Sequence, residues 1–187
     1  MKINLGCGLA LKEGYENVDI IDYPGVIKVD MLDYLKGLQS DTVSEVFSNH
    51  AMEHISRGKF LSVFIEILRV CKNGALIELF LPYYTQGVNL ANPYHLNIFN
   101  EHTFRFFCKD REDKNTVLEK EALIQTYSFG LYHSANEAQL PGTVEILSIH
   151  YSYFDWLNDK SEEEKLFARM HYFNTVKEFH IKMKVIK

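Results

Sequence analysis

The sequence is short of cysteine, tryptophan and proline, and it has no excess of positive charge. Its three cysteines, Cys7, Cys71 and Cys108, are odd in number and widely spaced. That pattern excludes a disulfide framework and paired-cysteine metal ligation, and free thiols of this kind fit a reducing compartment. Lys and Arg total 20 against 25 Asp and Glu, for a formal net charge of −5. The chain therefore lacks the basic excess that a nucleic-acid backbone demands. No apolar run approaches the ~20 residues of a membrane-spanning helix, and no hydrophobic leader precedes the first apolar run. These absences lead us to expect a soluble cytoplasmic protein with no nucleic-acid partner and no membrane span. What remains is ample: 47% of residues are hydrophobic, enough to build a core in one domain over residues 1–187.

The apolar pattern changes period along the chain. Lys2–Leu5, Asn17–Ile21, Val26–Val29 and Val43–Ser48 are short β runs, each closed by glycine, acids or polar residues. Over residues 57–71, Phe60, Phe64, Ile67, Leu68 and Cys71 repeat with helical spacing opposite Lys59, Ser62, Glu66 and Arg69, which predicts an amphipathic helix. Ser56 is placed as its N-cap and Asn73-Gly74 as its stop signal. Ala75–Leu81 follows as an almost wholly apolar strand, the pattern of a strand covered on both faces. It should lie parallel to Val43–Ser48 in a βαβ unit. Residues 82–100 form a long loop rich in Tyr, Asn and Pro, too long for a plain connector. A short helix is expected within residues 101–110, and residues 110–142 carry no clear pattern. Val144–Tyr153 and Lys177–Ile186 read as an antiparallel strand pair, with a helix in residues 161–173 between them whose acid run sits on a solvated first turn.

Chemistry-bearing residues fall at the ends of the first four strands. Gly6-Cys7-Gly8 leaves the first, Asp19 the second, Asp30 the third, and Ser48-Asn49-His50 the fourth. In a parallel sheet these ends share one edge, the edge where open α/β sheets bind ligands. A glycine turn lets a ligand approach the backbone, because a Cβ there would collide with it. An acid after the next strand can accept from both hydroxyls of a ribose. Gly6 and Asp19 are 13 residues apart (19 − 6), against the roughly 20 of dinucleotide-binding units. The first crossover therefore has no room for a full helix, and no third glycine follows at the dinucleotide spacing. An NAD-dependent oxidoreductase is accordingly disfavoured.

As a set, "INLGCG", "GYENVDI", "VDML", "VSEVFSNHAMEHI" and "RVCKNGALIELFLP" resemble the class I S-adenosylmethionine-dependent methyltransferases, nearest to the methyltransferase type 11-like branch. The motifs cover about residues 2–82, the cofactor half, leaving about 83–187 as the acceptor side. The resemblance implies a Rossmann-like α/β three-layer sandwich, mainly parallel, ending in the antiparallel pair. It implies S-adenosyl-L-methionine as cofactor and S-adenosyl-L-homocysteine as product. Leu5, Gly6, Cys7 and Gly8 would line the methionine part, and Asp19 with Ile20 would hold the ribose. Asp30, Met31 and Leu32 would frame the adenine, and Asn49 and His50 would close the pocket near the sulfonium. Asn4 stands where the family commonly has an acid before the glycine turn, which leaves the cofactor's ammonium to other groups.

Several of these residues have plainer uses. Asp30 can cap a helix beginning at Met31, and Cys7 reads as a small packed side chain rather than a nucleophile. His50, Glu53 and His54 stand in the order H-x-x-E-H, but no third ligand is evident nearby, and no metal is expected. Glu53 reads as a polar residue fixing the sheet edge. If the acceptor is a hydroxyl it must lose a proton as the new bond forms, a task suited to histidine. His95, in the long loop, is the first choice, with His50 and His54 as alternatives. Tyr83, Tyr84 and Tyr94 are candidates for an acceptor surface, while Phe104, Phe106 and Phe107 include a buried face. Arg105, Lys109 and Arg111 could receive a phosphate. The expected reaction is O-methylation of a small polar acceptor such as a sugar, nucleotide-sugar or glycan intermediate. A small-molecule N-methyltransferase and a non-catalytic adenosylmethionine-binding module remain open beside it.

Overall fold

The first strand, β1 (Lys2–Leu5), runs straight into the core, where Ile3 and Leu5 are completely buried. The computed structural model describes residues 1–108 and 140–187. After β1 the chain returns in parallel as β2 (Glu16–Asp19), pairing Asn4 with Asn17. The crossover holds no helix, as its short length predicts. Two asparagines pin it instead. Asn4, buried in β1, donates to Asn17 Oδ1 at 2.8 Å and to the Ala10 carbonyl at 3.1 Å. The Lys12 amide donates to the same Asn17 oxygen at 2.8 Å. Asn4 thus holds the loop that a crossover helix would otherwise organise.

The edge strand β3 (Ile27–Lys28) is short, and α1 (Met31–Gly37) follows it directly. The chain then crosses to the other side of β1 as β4 (Val43–Asn49), enters a 3-10 turn at Met52–His54, and continues through α2 (Arg57–Val70) to β5 (Cys71–Pro82). A short α3 (Gly87–Ala91) and a 3-10 turn at Thr103–Phe107 precede β6 (Thr143–Tyr153), α4 (Glu162–His171) and β7 (Val176–Ile186). Among the described residues these strands make one seven-stranded sheet in the order β3-β2-β1-β4-β5-β7-β6. The pairs from β3 to β5 are parallel, and β7 runs antiparallel to both β5 and β6. This is the expected Rossmann-like arrangement. Its strand order reverses between β1 and β4, the place where such sheets open a crevice for ligands.

The helices follow their sequence signals with local exceptions. On α2, Val63, Phe64, Ile67 and Leu68 are buried, as the apolar periodicity requires. Ser56 occupies the N-cap position without a side-chain cap bond; its carbonyl instead accepts from Lys59 and Phe60. Asn73-Gly74 does not stop the helix. The helix ends at Val70, and these two residues lie inside β5, where the pairing with β4 shifts register and Gly74 takes φ +81°. A bulge and a helix stop ask for the same left-handed residue, so the dipeptide signal was ambiguous. α4 begins with a full capping box, Ser161 and Glu164 bonding each other's backbone amides, and its three glutamates occupy the first turn as expected.

Residues 82–100 are closely tied to the body of the protein. The Leu96 and Asn97 amides donate to the Glu53 carbonyl at 2.7 and 3.1 Å, and Asn97 Nδ2 reaches the Met52 and Ile55 carbonyls. Phe99, Phe104 and Phe107 pack with Phe60 and Phe64 of α2. Tyr83 belongs to the core rather than to an acceptor surface. It is 1% exposed and donates to Glu101 at 2.9 Å, and Glu101 pairs with buried Arg169 of α4 at 3.2 Å. Tyr84 is half-buried and Tyr94 is exposed. Lys109, Arg111 and most of the patternless segment lie outside the described residues.

Two glycines of the first turn separate sharply in their packing. Gly6 has φ +66°, and a Cβ there would stand 2.2 Å from Ala51 Cβ, whereas Gly8, at φ +50°, has open space around it. Gly6→Ala should lose about 3 kcal/mol, from left-handed strain of ~1–2 and overpacking of ~1–3. A thermal melt should then show a Tm lower by roughly 6–12 °C. Gly8→Ala should lose only the strain contribution. Equal melting points for the two variants would disprove the Gly6–Ala51 contact.

Candidate ligand-binding site at the strand switch point

The carboxyl ends of β1, β2 and β4 open onto one cavity of about 660 Å³. Gly6, Cys7 and Gly8 form its floor beside Asp19 and Ile20, and Asp30 with Met31 closes one side. Asn49, His50, Ala51 and His54 bound the other side, with Ile55, Ser56, Lys59 and Leu96 along the rim. The structure thus brings together ten of the residues singled out from the sequence. It places three others elsewhere. Leu5 and Leu32 lie in the hydrophobic core behind the wall, and His95 stands behind His54, their ring centroids 4.7 Å apart.

Each strand end is fixed by a local bond. Asp19 accepts from the Gly8 amide at 2.8 Å and from the Ile21 amide at 3.2 Å, so its carboxylate shapes the glycine turn while staying partly exposed. Asp30 is the N-cap of α1, accepting from Leu32 at 2.9 Å, and it also meets Lys59 Nζ at 2.6 Å. Burial works against its charge, but Lys59 and the helix amides outweigh that and hold its carboxyl below the usual range. Cys7 is 5% exposed. Burial, with Asp19 nearby, pushes its thiol pKa up, which suits a packed side chain and not a nucleophile. Ile20 is 69% exposed at the cavity edge, a free apolar face beside the Asp19 carboxylate.

The histidines divide into two kinds. His50, at φ +51°, lies between two carboxylates, with Nδ1 3.3 Å from Glu53 and Nε2 2.6 Å from Glu178. The bond to Glu53 outweighs partial burial and, with Glu178, raises its pKa to about 9. This environment favours the cation, with both nitrogens donating to carboxylates, and does not suit a general base. His95 is the opposite case. Burial is the main reason its pKa is lowered, and Nδ1 lies 2.6 Å from Asn89 Oδ1. Asn89 is itself held by a bond from its Nδ2 to the Tyr83 carbonyl at 3.0 Å, so its oxygen faces His95. His95 therefore donates from Nδ1 and leaves Nε2 as a lone pair.

Lys59 and Asn89 are site residues that sequence reasoning missed. Nothing local marks Lys59 as the partner of Asp30, because it reads as part of the solvated face of an amphipathic helix. Asn89 becomes visible only once α3 and the loop are folded against the 3-10 turn at Met52–His54.

No protein-family profile and no curated protein matches the sequence. Solved structures do match. An S-adenosylmethionine-dependent methyltransferase from Archaeoglobus fulgidus aligns with a TM-score of 0.59 at 19% identity, over 97% of this chain and 84% of that one. The 1,6-didemethyltoxoflavin-N1-methyltransferase of Burkholderia thailandensis was solved with 1,6-didemethyltoxoflavin and S-adenosylhomocysteine. It aligns with a TM-score of 0.50 at 8% identity, over 99% of this chain and 70% of that one. At such identities the likeness is one of architecture: the chain has the Rossmann-like fold of the S-adenosylmethionine-dependent methyltransferases.

Proposed function

We propose that this protein is an S-adenosylmethionine-dependent methyltransferase acting on a hydroxyl of a small polar acceptor, of the sugar, nucleotide-sugar or glycan-intermediate class. The observation that carries the reading is the cavity at the strand switch point, which gathers the glycine turn, Asp19, Asp30 and Asn49 around one space. Its residues fit the cofactor. A volume of about 660 Å³ is in the range of small-ligand sites, and Asp19 keeps acceptor capacity beyond its two amide bonds. Ile20 and Met31 offer apolar cover for a base. Gly6 to Gly8 would face the methionine portion, Asp19 the ribose, and Asp30 with Met31 the adenine. When bound, the cofactor supplies an electrophilic methyl group on a sulfonium.

The protein's own part is to orient the acceptor, exclude water and take charge of the hydroxyl proton. Protonated His50 contributes positive charge close to Asn49. Beside it, His54 lines the cavity and His95 backs it. The two histidines together act on the acceptor hydroxyl, and the loop of residues 82–100 supports them through Asn89 and Tyr94.

Calorimetry should show binding of S-adenosylhomocysteine at micromolar scale, about −8 kcal/mol, and no heat with NAD. Heat with NAD and none with the adenosyl ligand would refute the assignment. Asp19→Ala should weaken the adenosyl ligand more than tenfold, given ~1.5–3 kcal/mol for each charge-assisted hydrogen bond. It should also lower Tm, because the Gly8 amide loses its acceptor. Unchanged affinity would place the ribose elsewhere.

His95→Ala should leave S-adenosylhomocysteine affinity nearly intact while turnover falls ~10²–10⁴-fold. Steady-state kinetics would separate this from a rise in KM at constant kcat, the signature of a residue that only binds the acceptor.

A further inference from the structure

We infer that Glu53, His54 and His95 form a binding site for a divalent transition-metal ion, of which zinc is the representative. One donor atom from each side chain lies within 4.8 Å of the other two. Around a tetrahedral zinc, donors at ~2.0–2.1 Å stand about 3.3 Å from one another, so closure needs movements of an ångström or so. His54 is exposed, so its side chain can supply much of that movement by a small shift about the Tyr94 bond.

The hydrogen bonds around the cluster leave one donor atom on each of the three side chains open. His54 Nδ1 lies 3.1 Å from the Tyr94 carbonyl, an oxygen that can only accept, so His54 donates from Nδ1 and presents Nε2 as a lone pair. His95 does the same through Asn89, whose orientation is fixed by Tyr83. Ligating histidines are oriented in this way, by a second nitrogen bonded to a carbonyl or carboxylate. Glu53 completes the set. It is 0% exposed, its Oε1 takes the bond from His50, and its Oε2 is buried with no partner. An ionised carboxylate oxygen without a donor is costly to bury. His50 meets only the other carboxylate oxygen, and two imidazole lone pairs beside Oε2 add repulsion that a bound cation would relieve. Two imidazoles and a carboxylate favour zinc or a neighbouring first-row ion over magnesium or calcium.

Three ligands leave a coordination position vacant. His54 is both a proposed ligand and part of the cavity wall, so an ion held there would be reachable from the cavity. There the ion would hold an oxygen of the acceptor, and the two histidines would act on the hydroxyl through the ion rather than as free bases. That role rests on the methyltransferase reading; the ion site itself does not.

The experiment uses tag-free full-length protein stripped with EDTA and titrated with zinc chloride in a calorimeter, with cobalt(II) chloride followed by visible absorption. One zinc per chain is expected, with cobalt bands of a four- or five-coordinate centre. His54→Ala, a change at an exposed position, and Glu53→Gln, which keeps the shape at a buried one, should each weaken zinc at least tenfold. His171→Ala, remote from the cluster, should not. Absence of stoichiometric zinc, or zinc binding unchanged in His54→Ala, overturns the site. S-adenosylhomocysteine titrated into the stripped protein tests the other reading separately. If it does not bind while zinc does, the methyltransferase assignment fails and the metal site stands.

Discussion

The meeting of β1 and β4 is the constraint on which the rest depends. Here the turn after β1 passes so close to the turn after β4 that no side chain fits between Gly6 and Ala51. The Ser48 hydroxyl, bonded to the Leu5 carbonyl at 2.8 Å, fastens the two strands immediately below. This contact fixes the separation of the cavity's two walls. One wall carries the glycine turn and the acids after β2 and β3, and the other carries Asn49, His50 and the 3-10 turn with Glu53 and His54. A wider gap would part the glycine turn and its neighbouring acids from the histidines.

The second wall depends in turn on the long loop. Leu96 and Asn97 attach it to the Glu53 backbone, and the Phe99–Phe104–Phe107 cluster anchors its far end on α2. Glu53 is therefore used twice, its main chain holding the loop and its side chain facing the histidines. Behind the loop, buried Tyr83, Glu101 and Arg169 link β5 to α4. Removing one charge from such a buried pair typically costs ~3–5 kcal/mol. The described residues after β5 are thus braced from beneath by charge pairing as well as by apolar packing.

Much of the architecture was legible because its signals are periodic. The β–α2–β5 unit, the alternating β7 and the helix-free first crossover follow from spacing alone, and the motif series carried the fold. Where reading failed, one local signal served two structures. Asn73-Gly74 suits a bulge as well as a helix stop, and Tyr83 looks like a loop tyrosine until the buried Glu101 is placed beside it. For the site, four strand ends could be named because a parallel sheet brings them to one edge. The grouping of His95 with Glu53 and His54 could not, since 41 residues (95 − 54) and a loop without regular periodicity separate them. Only the fold shows that the H-x-x-E-H run has a third histidine beside it.

The helix-free crossover has a consequence for chain entropy. β1 and β2 pair Asn4 with Asn17, a separation of 13 residues (17 − 4), whereas β5 and β7 pair Leu81 with Phe179 across 98 (179 − 81). With closure entropy growing as (3/2)RT ln n, the longer pairing costs about 1.8 kcal/mol more to bring together. The glycine turn and the Asp19 carboxylate thus belong to a segment whose ends meet cheaply. The final strand, which supplies Glu178 to His50, belongs to one of the most expensive closures. The cavity combines a floor of low contact order with a far wall that is complete only when the C-terminal strand has docked.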